Sequence, residues 1–228
     1  LLVWAALMVP IALEPDLSTA LLVGVIGCLI VYVAGARLTH FLFLGLLAAP
    51  VLYSQLDVAY RARRMMVFFD PSADPAGAGF QVHQSLLAFG SGGVAGVGFG
   101  QGRQKLGFLP EAHNDFIFAM IGEEWGLVGV TMAVSLYMLL ILIGFRVASR
   151  APDLFGQLLA VGLTSMIAMH AILHMAVGLG LVPATGLSLP LISYGRSNLL
   201  VTLASLGILM SISRASQRPL PVGRRARA

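Results

Sequence analysis

The chain has 228 residues, of which 58% are hydrophobic and 11% are charged. Soluble domains carry about 25% charged residues, so this composition and the mean hydropathy of +0.90 exclude an ordinary water-soluble domain. The single cysteine, Cys28, lies in an apolar run and excludes a disulfide framework. The net charge of +4 comes mostly from the C-terminal RASQRPLPVGRRARA, which has no aromatic residue and does not indicate nucleic-acid binding.

Apolar runs of the length needed to cross a bilayer recur along the chain. They predict six spans at residues 1–13, 17–34, 41–56, 115–146, 154–181 and 193–213. The chain begins inside the first run without Met, so we expect a fragment whose first span is truncated. The predicted fold is all-α, a polytopic bundle of transmembrane helices with one large extracytoplasmic loop. Its parts are three spans in 1–56, a catalytic loop in 57–114, three spans in 115–213 and a basic tail in 214–228.

The distribution of basic residues predicts the orientation of the bundle in the membrane. Placing the arginine-rich tail in the cytoplasm puts eight of the 14 cations on that side and leaves only Asp153 as an acid there. The loop then lies outside, where five cations balance five acids between residues 57 and 115.

Asp115 is the leading catalytic candidate, because it stands where the polar loop enters the fourth span. A carboxylate at that junction can meet lipid head groups and water together. Asn114 is expected to cap the helix, and the helix dipole is expected to keep Asp115 ionised. The plain alternative is that Asp115 is only a capping charge.

Several other loop side chains are candidates for holding a substrate. The predicted substrate-binding residues are Arg61, Arg64, Arg103, Lys105, Glu111 and His113. Guanidinium and ammonium groups can hold a pyrophosphate and neutralise it as a leaving group. The alternative is that these cations pair with loop acids such as Asp57, Asp70 and Asp74.

Other chemical signals in the chain are weak. The run GSGGVAGVGFGQGRQK matches neither glycine-rich nucleotide motif. His170 and His174 share a helix face, but no acid or cysteine lies near them in the sequence, so no metal site is predicted. Glu123 and Glu124 are expected about 12 Å below Asp115 along the helix, where charges are costly and face a cavity or a partner.

Four separate stretches, in this order, resemble the SEDS family of membrane glycosyltransferases, the FtsW, RodA and SpoVE type. They are EPDLSTA, RMMVFFDPSADPAGAGFQVHQSLLAFGSGG, GQGRQKLGFLPEAHNDFIFAMIGEEWGLVG and GLVPATGLSLPLISYGRSNLL. The FDPSADPAGAGFQ and GSGGVAGVGFG stretches look most like FtsW. The family's essential loop aspartate matches Asp115, and family members have about ten spans, of which this chain resembles the last six. The family's usual HTDF is HNDF here, and Arg196 replaces a glycine of its SYGGS.

The resemblance implies a peptidoglycan glycosyltransferase that polymerises lipid II for septal wall synthesis in the bacterial cytoplasmic membrane, with its active site outside. Implied partners are lipid II, membrane lipids, a class B penicillin-binding protein and other divisome proteins. Asp115 would act as the general base, and the loop cations would hold the leaving pyrophosphate. No cofactor is certain, although a divalent cation such as Mg²⁺ or Mn²⁺ is compatible with this chemistry. The alternatives are a lipid II flippase or transporter and a non-catalytic divisome scaffold.

Overall fold

The computed structural model describes residues 17–43, 45–46, 49, 59–70, 74 and 77–217, and it is helical without a strand in these ranges. The predicted all-α fold is therefore confirmed. Its six named helices are α1 (Leu17–Val33), α2 (Ala59–Phe69), α3 (Ala78–Gly92), α4 (Ile117–Ser149), α5 (Leu154–Gly178) and α6 (Arg196–Ser216). A short 3₁₀ turn covers Gln104–Leu106.

Three of these helices, α4, α5 and α6, are long and apolar enough to cross a membrane. They coincide with the last three predicted spans to within a few residues. Helix α1 is apolar but has 17 residues, and it corresponds to the predicted span 17–34. The predicted span 1–13, most of the predicted span 41–56 and tail residues 218–228 lie outside the described residues.

Helix α5 is the centre of the bundle, because α1, α4 and α6 all pack against it. Small side chains line this packing: Ala148, Ala160 and Val161 form one buried cluster with Leu209. Such residues let helix backbones approach closely where lipid gives no hydrophobic drive for helix association. The large apolar side chains of α4, in contrast, mostly face outward, as expected for a helix surrounded by lipid.

The predicted loop is a packed part of the fold, because it contains helices α2 and α3. Helix α3 lies against α4, and its fully buried Ala88 joins a cluster with Phe116, Ala119 and Val177. The Ser85 hydroxyl donates a 2.6 Å hydrogen bond to the carbonyl of Gly178 at the end of α5. The part of the loop that precedes Asp115 in the sequence is thus packed against two spanning helices.

Helix α4 is broken at Gly126, whose φ of +62° belongs to the left-handed region. A side chain there would be strained, and its Cβ would lie 2.4 Å from the Gly96 nitrogen. We call residues 93–106 the glycine-rich segment. This segment bonds the backbone groups that the break frees. The donor–acceptor pairs are Val97 N to Glu123 O (3.0 Å), Gly98 N to Glu124 O (3.1 Å), Leu127 N to Gly93 O (2.9 Å) and Val128 N to Val94 O (3.3 Å).

The carboxylates of Glu123 and Glu124 complete this attachment, which we call the glutamate clamp. The Glu123 side chain is almost fully buried and accepts hydrogen bonds from the backbone N–H groups of Arg103 (2.8 Å) and Gln104 (3.2 Å). Glu124 accepts from the Gly100 N–H (2.9 Å) and pairs with the Lys105 ammonium at 2.7 Å. The carboxylates of Glu123 and Glu124, whose burial is expected from the sequence to be unfavourable, therefore accept hydrogen bonds, and the donors belong to the loop.

We predict that Glu123→Ala loosens the glycine-rich segment, because the substitution leaves the Arg103 and Gln104 N–H groups without their acceptor. Losing the partner of a part-buried donor costs about 1–3 kcal/mol. The backbone amides of residues 93–106 should exchange hydrogen faster in the intact protein, as measured by mass spectrometry in nanodiscs.

Asp153→Ala is the matched control, because Asp153 is an exposed acid whose side chain makes no capping bond to α5. Unchanged exchange across residues 93–106 in Glu123→Ala would contradict the role of the clamp.

Candidate active site

Asp115 lies in a tight turn just before α4 and outside the spanning helix. The turn is closed by the Glu111 carbonyl, which accepts hydrogen bonds from the N–H groups of Asn114 (3.0 Å) and Asp115 (2.9 Å). Glu111 itself has a φ of +51°, an uncommon conformation for a residue other than glycine. The N-cap of α4 is Phe116, without a side-chain capping bond. The expectation that Asn114 caps the helix and that Asp115 occupies its first turn is therefore wrong.

The Asp115 side chain is half-buried, and its Oδ1 atom has no hydrogen-bond partner among the described residues. Burial raises the pKa of the Asp115 carboxyl above its ordinary value of 3.8, and the neighbouring Glu111 carboxylate raises it further. The Arg64 guanidinium acts in the opposite direction. The pKa of the Asp115 carboxyl is thus above its ordinary value, so its carboxylate is a stronger base than that of an exposed aspartate.

The segment before α6 (residues 187–195) holds the Asp115 turn from the other side. The Ser193 hydroxyl donates to the Asn114 carbonyl at 2.8 Å and accepts from the Leu189 N–H at 2.8 Å. The Tyr194 N–H donates to the His113 carbonyl at 3.1 Å. The backbone directly before Asp115 is therefore fixed by two hydrogen bonds from this segment.

Two buried side chains from spanning helices hold residues 187–195 in turn. The Tyr137 hydroxyl of α4 donates to the Pro190 carbonyl, and His174 of α5 donates from Nδ1 to the Leu187 carbonyl at 2.8 Å. His174 is 1% exposed, so its place is inside the bundle. The other histidine of the pair, His170, donates to the Met166 carbonyl of its own helix at 2.9 Å.

Arg64 reaches the same region from helix α2. Its Nη1 donates to the Ala184 carbonyl at 2.9 Å, and it lines a cavity of about 100 Å³ whose other walls are mainly apolar, including Val67, Phe68 and Pro183. One cation thus stands at the edge of an apolar cavity and within electrostatic reach of Asp115.

The structure divides the predicted substrate-binding residues into two groups. Arg64, Glu111 and His113 belong with Asp115, and the side chains of Glu111 and His113 are exposed. Arg103 and Lys105 lie at the glutamate clamp instead, where the Lys105 charge is paired with Glu124 rather than with the loop aspartates. The backbone of Arg61 lies in α2, and its side chain lies outside the described residues. Substrate binding by all six stays a prediction.

A metal held only by protein side chains does not fit the described part of the chain. No three of its His, Cys, Asp and Glu residues come close enough together to ligate one ion. Mg²⁺ is commonly bound by one or two carboxylates together with substrate phosphates and water. Asp115 and Glu111, whose charges interact, would therefore hold such an ion only together with a bound substrate.

Ser193 and Tyr137 were not singled out from the sequence, although they determine where the Asp115 turn lies. Ser193 belongs to the SYGRS stretch, so its motif was a usable signal. Tyr137 gave no signal, because a tyrosine in a long apolar run is indistinguishable from a lipid-facing or core residue before the packing is known.

A family model described as "Cell cycle protein", which covers FtsW, RodA and SpoVE, matches residues 1–218 of the chain. The chain belongs to this family. The resemblance found in its sequence motifs, to the SEDS family and most to its FtsW type, is therefore confirmed.

Relatives and solved structures agree with this membership. The chain is 45% identical over 201 residues to the "Probable peptidoglycan glycosyltransferase FtsW" of Geobacter sulfurreducens, covering 88% of this chain and 54% of the relative. It is 42% identical over 217 residues to "Stage V sporulation protein E" of Bacillus subtilis, covering 95% and 59%. The chain thus spans little more than half the length of these relatives.

A solved structure described as "Structural coordination of polymerization and crosslinking by a peptidoglycan synthase complex" has a similar fold. It superposes with a TM-score of 0.72 at 34% identity, covering 95% of this chain and 62% of the other. The chain is thus a multi-pass membrane protein of this fold.

We predict that Asp115→Asn does not lower the thermal stability of the intact protein at pH 7. A carboxyl whose pKa is higher in the folded state favours folding fully only below its unfolded pKa, and this contribution is lost as the pH rises through the folded value. At neutral pH the ionised Asp115 therefore disfavours the folded state, and a neutral amide removes that effect.

The measurement is the unfolding temperature in detergent, with Asp153→Asn as an exposed control. A fall of several degrees for Asp115→Asn alone would show that the ionised carboxylate stabilises the fold, contrary to this electrostatic account.

Proposed function

We propose that this chain is part of a peptidoglycan glycosyltransferase that polymerises lipid II into glycan strands, with Asp115 as the general base. The observation that carries the proposal is the half-buried Asp115, whose pKa is raised and whose charge interacts with that of Arg64, a residue that lines an apolar cavity. The names of the relatives, peptidoglycan glycosyltransferases among them, support the same reaction.

In the proposed reaction the 4-hydroxyl of an acceptor sugar attacks the anomeric carbon of a donor, and undecaprenyl pyrophosphate leaves. Converting an α-linked donor into a β-1,4 bond requires one inversion and no covalent enzyme intermediate. The Asp115 carboxylate takes the hydroxyl proton as the new bond forms. A raised pKa helps this step, because a base is most effective when its pKa approaches the working pH.

Arg64 is the cation we assign to the leaving pyrophosphate. It is the basic residue whose charge acts on Asp115, and the apolar cavity beside it suits the lipid-linked end of a donor. A guanidinium can neutralise phosphate oxygens while donating several hydrogen bonds. Arg103, whose side chain is exposed, is a second candidate, whereas the Lys105 charge is already neutralised by Glu124.

The cytoplasmic membrane of a bacterium, with Asp115 on its outer side, is the proposed location. In the described residues Arg146 and Arg150 lie at the end of α4 opposite Asp115, and Arg214 lies in the last turn of α6. Such a cluster favours the cytoplasmic side. The FtsW-type motifs support a role in septal wall synthesis. The solved relative combines polymerisation with crosslinking, which supports a class B penicillin-binding protein as the partner.

The transporter and scaffold alternatives receive less support. A transporter is expected to keep ionisable groups near the membrane midplane available to its cargo. Glu123 and Glu124 instead hold the loop, and the Nδ1 atoms of His170 and His174 are bonded to backbone carbonyls. The buried Nε2 atom of His174 has no partner among the described residues.

The first test is polymerisation of purified lipid II by the intact protein. Loss of a general base costs about 10²–10⁴-fold, so Asp115→Asn should reduce strand formation by that factor while Asp153→Asn leaves it unchanged. Full polymerisation by Asp115→Asn would overturn the assignment of the base. Lipid II transport without any polymerisation by the unaltered protein would favour the transporter.

The second test follows the acid side of the pH–rate profile, whose midpoint reports the pKa of the general base. Glu111→Gln removes a charge that raises the Asp115 pKa, so the midpoint should move to lower pH. Arg64→Gln removes a charge that lowers it, so the midpoint should move to higher pH.

The position of the midpoint is independent of the absolute rate, so it stays informative if either variant also binds substrate less well. Shifts in the same direction for both variants would contradict Asp115 as the titrating base.

A further inference from the structure

The glycine-rich segment exposes apolar side chains next to the break in α4. Phe99 is 81% exposed and Val94 is 69% exposed, and Phe99 meets the partly exposed Trp125 edge-to-face with ring centroids 6.1 Å apart. We call Val94, Val97, Phe99 and Trp125 the apolar rim. Exposed aromatic side chains grouped in this way indicate a surface that is covered by something in the membrane-embedded protein.

The backbone hydrogen bonds at the break fix the apolar rim at one level of α4. Val97 and Gly98 donate to the carbonyls just before Trp125, and Val94 accepts from the N–H of Val128. The rim is therefore continuous with Leu127 and Val128, exposed side chains on a helix that is long and apolar enough to span a membrane.

The charges of α4 show which level of the bilayer this is. From Trp125 to Phe145 the helix has 21 residues without a charged side chain, bounded by Glu124 and Arg146. At 1.5 Å per residue this stretch is about 31 Å long, which matches a hydrocarbon core of about 30 Å. One boundary of the hydrocarbon therefore falls at Trp125, and the rim lies at that boundary.

Several backbone donors in and beside the rim already have partners within the protein. The N–H groups of Val97 and Gly98 are bonded to α4 carbonyls, and that of Gly100 is bonded to the Glu124 carboxylate. Backbone groups with internal partners are what a bilayer requires, and aromatic rings are favoured at its interfaces.

We propose that the apolar rim is a membrane-binding surface, and that Phe99 and Trp125 insert into the lipid interface on the Asp115 side. Contact of the apolar rim with the bilayer does not depend on which reaction Asp115 supports. It places the first turns of α4, from Ile117 to Trp125, above the hydrocarbon, over a height of up to about 12 Å. Asp115 then lies among head groups and water, at the membrane depth expected for the sugar of a lipid-linked substrate and not for its lipid tail.

The test uses nitroxide labels on the intact protein, with native cysteines including Cys28 replaced, in vesicles of phosphatidylethanolamine and phosphatidylglycerol. Labels are introduced by Phe99→Cys, by Leu139→Cys as a lipid-facing reference in α4, and by Glu111→Cys as an exposed reference beside Asp115. Collision of each label is measured with oxygen, which partitions into lipid, and with a water-soluble nickel chelate.

We expect the ratio of oxygen to nickel collisions at position 99 to be several-fold higher than at position 111 and below that at position 139. Equal ratios at 99 and 111 would place the rim in water and overturn the proposal. Slow collision with both reagents at 99 would also overturn it, because protein rather than lipid would then cover the rim. Unchanged unfolding temperatures of the three variants show that each label reports on the folded protein.

Discussion

The hydrogen bonds between two adjacent carboxylates and the backbone of a loop are the interaction on which this structure depends. Burying Glu123 and Glu124 near the end of a spanning helix is unfavourable unless donors surround them. The glycine-rich segment supplies those donors, and it also bonds the backbone groups freed by the break at Gly126. The helix break and the loop conformation therefore stabilise each other. As a result, the loop is a fixed part of the bundle.

The backbone around Asp115 is fixed from two directions, while part of its side chain is left unsatisfied. Ser193 and Tyr194 bond the carbonyls just before it, and Phe116, just after it, is buried among side chains of α3 and α5. Buried polar atoms are usually paired, and in the described residues Asp115 Oδ1 is one of seven buried side-chain atoms without a partner, together with Asn114 Oδ1 next to it. What distinguishes Asp115 among these seven is that its group is a carboxyl with a raised pKa.

The last three spans could be predicted from the sequence, because crossing a bilayer requires a simple length of apolar residues; α4, α5 and α6 lie within a few residues of their predicted positions. The break at Gly126 could not be predicted from the sequence. A glycine in an apolar run gives the same pattern whether or not a loop forms hydrogen bonds with the helix backbone next to it. The pairing of Lys105 with Glu124 could not be predicted either, because it joins two segments that are distant in sequence. Asn114 is not the cap because the chain makes a local turn at Glu111 and α4 begins only after Phe116.

The opposing charges of Glu111 and Arg64 bear on the proposed role of Asp115 as a base. If Arg64 were the only influence, it would lower the pKa of Asp115 and make the carboxylate a weak base. If only burial and Glu111 acted, the pKa would be higher and Asp115 would be protonated more often. In the proposed reaction the donor pyrophosphate binds Arg64 and neutralises the charge that lowers the Asp115 pKa. The carboxylate then becomes a stronger base only when a donor is in place, so that deprotonation of the acceptor is coupled to the presence of the leaving group.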